Sequence, residues 1–512
     1  MNQQNRQPRL SLASLATSRP AAQRPSYAPA ALRPGIVHLG IGAFVRGHVA
    51  IYTEDAIALR GGDWGIIGVS LRHLDQRDRL APQDGLYTAL ERGPVVKPPR
   101  IVGCLREVLV APENPEAVLC RMADPAIRIV SLTVTEKGYD HDPATGRLNP
   151  EHDDIRHDIA EPHAPRSAVG FIVEALARRR ATGVAPFTVM SCDNLPQNGK
   201  LLKGLVRDFA ARRDPELAHW IDTHGAFPSS MVDRVVPPVT DADRADIENL
   251  TGLFDASPVV HEPFSQWVLE DSFVGGARPA WHECGVEIAD DVKPYEDMKL
   301  QLLNGAHSAL AYLGYLSGHD MISQAVADPV LQGFVRNLWD EEVIPVVHAP
   351  AGVDLADYTA TVQSRFANPF VRHRTWQVAM DGSQKLPQRI LPSVRARLSR
   401  GMDLPRLALV IAAWIRYAGG TDEGGKTIDV RDPLAGQLRD KLGAASRTPA
   451  DQVNAALSFK TIFGDDLPTD ERFRDALRTA YAQLALLGAR KAAASLAGNA
   501  TSLNTAIGKD AR

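Results

Sequence analysis

The sequence predicts an α/β protein, in which a doubly wound and largely parallel β-sheet domain is followed by a mainly α-helical one. Two patterns carry that expectation. In the first half, runs rich in β-branched and apolar residues at 36–41, 65–71, 127–135 and 187–191 alternate with helical stretches such as 49–59 and 168–180. Strands alternating with helices argue for a parallel sheet covered on both faces. From Tyr295 onward, Leu- and Ala-rich segments at helical spacing take over, at 295–317, 329–342, 403–417, 450–462 and 470–497. A chain of 512 residues also exceeds what one core ordinarily organises, which favours two domains.

The first 33 residues are rich in Arg, Ser, Ala and Pro, and no acid precedes Glu54. That composition resembles a transit peptide, but no apolar stretch of the secretory kind is present. An arm at 1–33 leading into the first strand is expected, then a nucleotide-binding domain at 34–290 and a helical domain at 291–512, divided near the acidic stretch ADDVKPYED.

Hydrophobic content of 44%, charged content of 23% and a net charge of −4 are those of a soluble globular protein. They provide no electrostatic footprint for nucleic acid or an anionic membrane. The longest apolar run, Leu407 to Ile415, has nine residues against the ~20 a membrane helix needs. Cys104, Cys120, Cys192 and Cys284 are dispersed without C-x-x-C pairing, which points to a reducing, cytoplasmic setting and away from structural zinc. His282, Glu283 and Cys284 stand together without a second cluster to complete a coordination shell, so no metal is expected. The expected partner is a small molecule, and the expected state a monomer or small homo-oligomer.

Gly40-Ile41-Gly42 follows the first strand directly and precedes a helical stretch, the context of a dinucleotide loop. Glycines there permit a tight turn and close approach to a pyrophosphate. The third glycine of the usual motif is absent, since Val45 stands in its place. Past the second strand lie Arg72 and Asp75. An acid at such a position accepts the adenosine ribose hydroxyls and repels a 2′-phosphate, which favours NAD; Arg72 keeps NADP open as an alternative.

The most informative stretch is YEDMKLQLLNGAH, from Tyr295 to His307. On a regular α-helix at ~100° per residue, Asn304 lies ~140° and His307 ~80° from Lys299, so the three share a broad face. An amine to exchange a proton, an amide to donate to an alkoxide and an imidazole to bind hydroxyls suit the oxidation of an alcohol. A lysine serves as base only if burial lowers its pKa from ~10.4. Y-x-x-x-K at Tyr295 and Lys299 imitates the catalytic pair of short-chain dehydrogenases, but it lies far from the glycine loop and His282 occupies the place of their serine.

Together with IVHLGIGAFVRGH (36–48), VSLTVTEKGY (130–139), FTVMSCDNLPQNG (187–199), MVDRVVPPVT (231–240) and EPFSQWVLEDSF (262–273), the K-x-x-x-x-N-x-x-H signature resembles the polyol-specific long-chain dehydrogenases, the mannitol dehydrogenase family. The resemblance implies a Rossmann-type domain that binds NAD through Gly40, Gly42 and Phe44. It implies Lys299 as acid–base, Asn194 and Asn304 as oxyanion donors, and His307 and Asp233 as substrate contacts. Glu136 would help to move the proton. Within the family, HRTWQVAMDGSQKLPQR (373–389), YLGYLSG (312–318) and IDVRDPL (428–434) resemble the fructuronate reductase branch. Gln377 stands where mannitol 2-dehydrogenases usually carry a substrate-binding arginine. A sugar acid needs a cation for its carboxylate, for which Arg374, Lys385 and Arg389 are the candidates. The expectation is therefore interconversion of D-fructuronate and D-mannonate. Mannitol 2-dehydrogenase or a related polyol or aldonate enzyme is the alternative, and a non-catalytic nucleotide-binding protein the remote one.

Overall fold

The computed structural model describes residues 7–142, 145–446 and 448–497. The chain divides into two compact units between Lys293 and Pro294.

In the first unit, the central sheet is built from β1 (Pro34–Leu39), β2 (Gly65–Ser70), β3 (Leu105–Val110), β4 (Ile129–Leu132) and β5 (Thr188–Ser191), in the order β3-β2-β1-β4-β5. All neighbours are parallel, with Leu39 paired to Val69 on one side and to Leu132 on the other. Val37, Leu39, Val130 and Leu132 have no exposed surface, as expected where helices cover both faces. β3 is the strand that the apolar runs do not predict. Its Arg106 and Glu107 are half-buried on the sheet edge, which breaks the β-branched pattern. Strand order reverses between β1 and β4, and in such sheets ligands bind at that switch point, beyond the carboxyl ends of the strands.

Two three-stranded sheets and a two-stranded one, 141–142 with 147–148, accompany the central sheet among the described residues. Residues 230–233 pair antiparallel with 266–270, and 87–91 lie between 100–102 and 259–261. The segment before β1 packs onto this unit: Leu10 is buried and its N–H donates to Phe254 O at 2.9 Å. Tyr27 Oη donates to the buried Glu54 carboxylate at 2.6 Å, which also accepts from the N–H groups of Gly103 and Cys104.

The second unit is helical. Helices 305–316 and 405–418 are buried along nearly their whole length and form its centre. The start of the latter is capped by buried Glu342, which accepts from the N–H groups of Arg406 at 2.8 Å and Leu407 at 2.9 Å. Among the described residues no helix is long and apolar enough to cross a membrane.

The helix that begins at Lys293 departs from expectation. Residues Lys299–Asn304 form a π-helical turn, with Gly305 N–H reaching back to Leu300 O, between α-helical stretches 293–298 and 305–316. The regular α-helix expected over 295–307 is therefore incorrect, and the angles taken from it do not apply. With i→i+5 hydrogen bonding, residues five apart become axial neighbours. Lys299 and Asn304 stand in that relation.

Candidate active site

The dinucleotide loop lies at the switch point. Gly40 has φ +95°, and a Cβ there would come within 2.1 Å of Thr133 O, so glycine is required on both counts. Gly42 has ordinary backbone angles, and a Cβ on it would meet nothing closer than 4.0 Å. Its missing side chain leaves room for a ligand. A cavity of about 370 Å³ opens there, lined among others by Gly40, Gly42, Arg72, Asp75, Thr133 and Arg166. Its position, the open face of Gly42 and the exposed Asp75 fit an adenine dinucleotide with free ribose hydroxyls. Arg72 donates to Asp154 at 2.7 Å, which occupies the guanidinium with a carboxylate of its own unit. Phe44 is half-buried and stacks on His48, with ring centroids 5.0 Å apart.

Three other segments of this unit carry expected site residues. Glu136 is exposed in the turn that follows β4, and Asn194 is exposed in the loop that follows β5. Asp233 ends strand 230–233 and is buried. Two residues that sequence reasoning overlooked connect these segments. Buried Asn198 donates to Asp193 O at 3.0 Å and Ser230 O at 2.8 Å, and accepts from Ser230 N–H at 2.9 Å. Asp193 accepts from the N–H groups of Val134 at 2.9 Å and Thr135 at 3.0 Å, and from Tyr139 Oη at 2.8 Å. The one available signal was their place in the same SCDNLPQNG stretch as Asn194.

In the second unit, Lys299 is 4% exposed and His307 8%, while Asn304 is half-buried. Asn304 Oδ1 and His307 Nε2 are buried with no hydrogen-bond partner in the protein, a costly state unless a ligand supplies one. The His307 ring lies 4.9 Å from Phe366 and 5.1 Å from His373. Burial holds its pKa well below the usual imidazole range, and His373, Arg389, Lys385 and Arg365 push the same way. Burial, with Lys385 adding to it, brings His373 down to about 4. Both rings are therefore neutral at physiological pH, each offering one donor and one acceptor. Lys385 Nζ donates to Val378 O at 3.1 Å, and Arg389 reaches Ser308 Oγ at 3.4 Å. Arg374 and Gln377 are exposed, and Arg374 is not among the main influences on His307. Arg365 and His373 belong to this surround, although the sequence did not single them out. Among the described residues no three His, Cys, Asp or Glu side chains gather as metal ligands.

Residues 34–283 match the model of the mannitol dehydrogenase Rossmann domain, and residues 291–485 that of the mannitol dehydrogenase C-terminal domain. The chain is 46% identical to the D-mannonate oxidoreductase of Escherichia coli (strain K12) over 478 residues, 92% of this chain and 98% of that one. It is also 46% identical to the uncharacterized oxidoreductase YeiQ of the same organism over 470 residues, 91% of this chain and 96% of that one. Among solved structures it is similar to the Pseudomonas fluorescens mannitol 2-dehydrogenase ternary complex with NAD and D-mannitol. There the TM-score is 0.88 and the identity 40%, covering 95% of this chain and 99% of that one.

Proposed function

Because the chain belongs to the mannitol dehydrogenase family, we propose that it is an NAD-dependent oxidoreductase interconverting D-fructuronate and D-mannonate. NAD is favoured by the loop at Gly40 and Gly42 with Asp75 beyond the second strand, and by the NAD in the mannitol 2-dehydrogenase complex. When bound, it accepts or supplies the hydride. In the reducing direction Lys299 donates the proton to the forming alkoxide, and in the oxidising direction it removes it. The amide N–H groups of Asn194 and Asn304 stabilise that alkoxide, with Glu136 passing the proton towards solvent. His307 and Asp233 hold hydroxyls.

The substrate assignment is carried by one observation. Arg389, Lys385 and Arg365 are among the groups that hold the buried His307 neutral, and no acid is among the main influences on it. Such a field favours an anionic end group over a hydroxymethyl group. Lys385 and Arg389 are the carboxylate partners on this reading; Arg374 is too exposed for the part. A charge-assisted contact contributes ~1.5–3 kcal/mol, or about 10- to 150-fold in kcat/KM.

The test is NADH-dependent reduction of D-fructuronate and of D-fructose by the purified chain. D-Fructuronate is expected to be favoured at least ~10-fold, and Arg389→Gln should narrow the gap by impairing fructuronate more than fructose. Equal rates on the two ketoses would assign the enzyme to the polyol substrates instead.

A further inference from the structure

We propose that Asp193 is the positioning residue of the site, an ionised latch that fixes the Glu136 turn against the Asn194 loop. The proposal rests on the reading above, in which Glu136 and Asn194 serve the reaction. Its footing is the backbone of Thr135. This residue has φ +62° and ψ +166°, a region that is essentially restricted to glycine. A β-branched residue stays there only when its surroundings hold it. The Thr135 carbonyl accepts from Gly138 N–H at 3.0 Å, and on its N–H side the hold is one carboxylate. Asp193 Oδ2 accepts from Val134 N–H and Tyr139 Oη, and Oδ1 accepts from Thr135 N–H itself. Glu136 is the next residue along, and Asn194 follows Asp193 directly. One side chain thus joins the two segments.

The latch needs both oxygens as acceptors. A protonated carboxyl keeps one strong acceptor oxygen while its hydroxyl oxygen accepts only weakly, so the hydrogen bond from the N–H of either Val134 or Thr135 is weakened. Thr135 is then held less firmly in its conformation. Burial raises the Asp193 pKa to about 6, and the Glu136 charge adds to it, while the three hydrogen bonds oppose the rise. The other titratable groups that face it are Tyr139 and Cys192, both pushed upward by burial and neutral throughout the range concerned.

This arrangement separates stability from turnover. A carboxyl whose folded pKa exceeds its unfolded value costs stability as it ionises, so this group makes the fold more stable on acidification from pH ~6 towards pH ~4. Turnover should move the other way and fall as the latch opens. That gain in stability follows from the raised pKa whatever the group does, so the opposed fall in turnover is what marks the latch.

Asp193→Asn reproduces the protonated form at every pH. At pH 7.5 it should lower kcat by about 10- to 100-fold with little change in NADH affinity or melting temperature. It should also abolish the acid limb expected near pH 6 in the wild-type kcat profile. Adding Thr135→Gly should restore part of the lost activity, because glycine adopts this conformation without being held. If Asp193→Asn does not fold, Thr135→Gly in the wild-type chain carries the test, and should flatten the acid limb. Wild-type kcat in Asp193→Asn, or an acid limb unchanged by these substitutions, overturns the latch. Asn194→Ala and Glu136→Gln are measured alongside. If those two are impaired and Asp193→Asn is not, the latch fails alone; if they turn over normally, the reading of the site fails with it.

Discussion

Lys299 is a charged side chain that the fold has almost removed from water, at 4% exposure. On the reading above it is the group that exchanges the proton of the reacting hydroxyl. Lys299→Ala should therefore lower turnover by ~10²-fold or more, the scale of a lost general acid–base. NADH affinity, measured by fluorescence titration, should stay close to wild type, because the nucleotide loop lies in the other unit. Activity within a few-fold of wild type would remove Lys299 from the chemistry. At this scale the sequence was legible where a motif names residues outright, as with Lys299, Asn304 and His307. It was silent on the surround of His307, since Arg365, Phe366 and His373 come from segments well apart in the chain from His307. Asp193 went unnoticed for another reason. A carboxylate that only accepts hydrogen bonds from a neighbouring loop looks, in sequence, like any loop acid.

At the scale of elements, four of the five central strands follow from continuous apolar runs, because strands buried on both faces are mostly apolar, with His38, Ser131, Thr188 and Ser191 as buried polar members. The edge strand 105–110 was hidden by Arg106 and Glu107, and the small sheets by their short strands. The π turn at 299–304 could not be read at all. Leu300, Leu302 and Leu303 satisfy an apolar face at either pitch, and no Gly or Pro lies within the turn. What holds that turn comes from elsewhere in the unit. Trp339 Nε1 donates to Leu302 O at 2.8 Å, from a second π turn at Leu338–Val343, and Ser393 Oγ donates to Gln301 at 2.7 Å. Trp339→Phe keeps a ring but removes the donor. It should cost about 1–3 kcal/mol in denaturant unfolding and lower turnover too. Reversion of the turn to α pitch would rotate Asn304 and His307 about the axis relative to Lys299, by ~100° for each residue of register. A variant equal to wild type in both respects would show that other contacts hold the turn.

At the scale of the whole molecule, the apolar clusters follow the division of the chain. Among the described residues, the buried side chains of the large helical core lie at 298–493, and those of the clusters around the sheets at 10–286. The elements proposed to bind the nucleotide all belong to the first unit. A ligand that binds only the native form stabilises it by ~2.7 kcal/mol at 100 times its Kd. Unfolding entropy near ~2.1 cal/mol/K per residue gives ~0.6 kcal/mol/K for a unit of about 290 residues, and ~1 kcal/mol/K for the whole chain. The expected shift is then ~4–5 °C if the first unit melts by itself and ~2–3 °C if the chain melts as one. With separate cores, the larger value is expected. Scanning calorimetry with saturating NADH should move one transition by ~4–5 °C and leave the other nearly in place. NADPH at the same concentration should move it less, since Asp75 repels the 2′-phosphate and Arg72 is held by Asp154. An equal shift with NADPH would remove Asp75 as the selector. A single transition moving by ~2–3 °C would mean that the two cores unfold as one cooperative body.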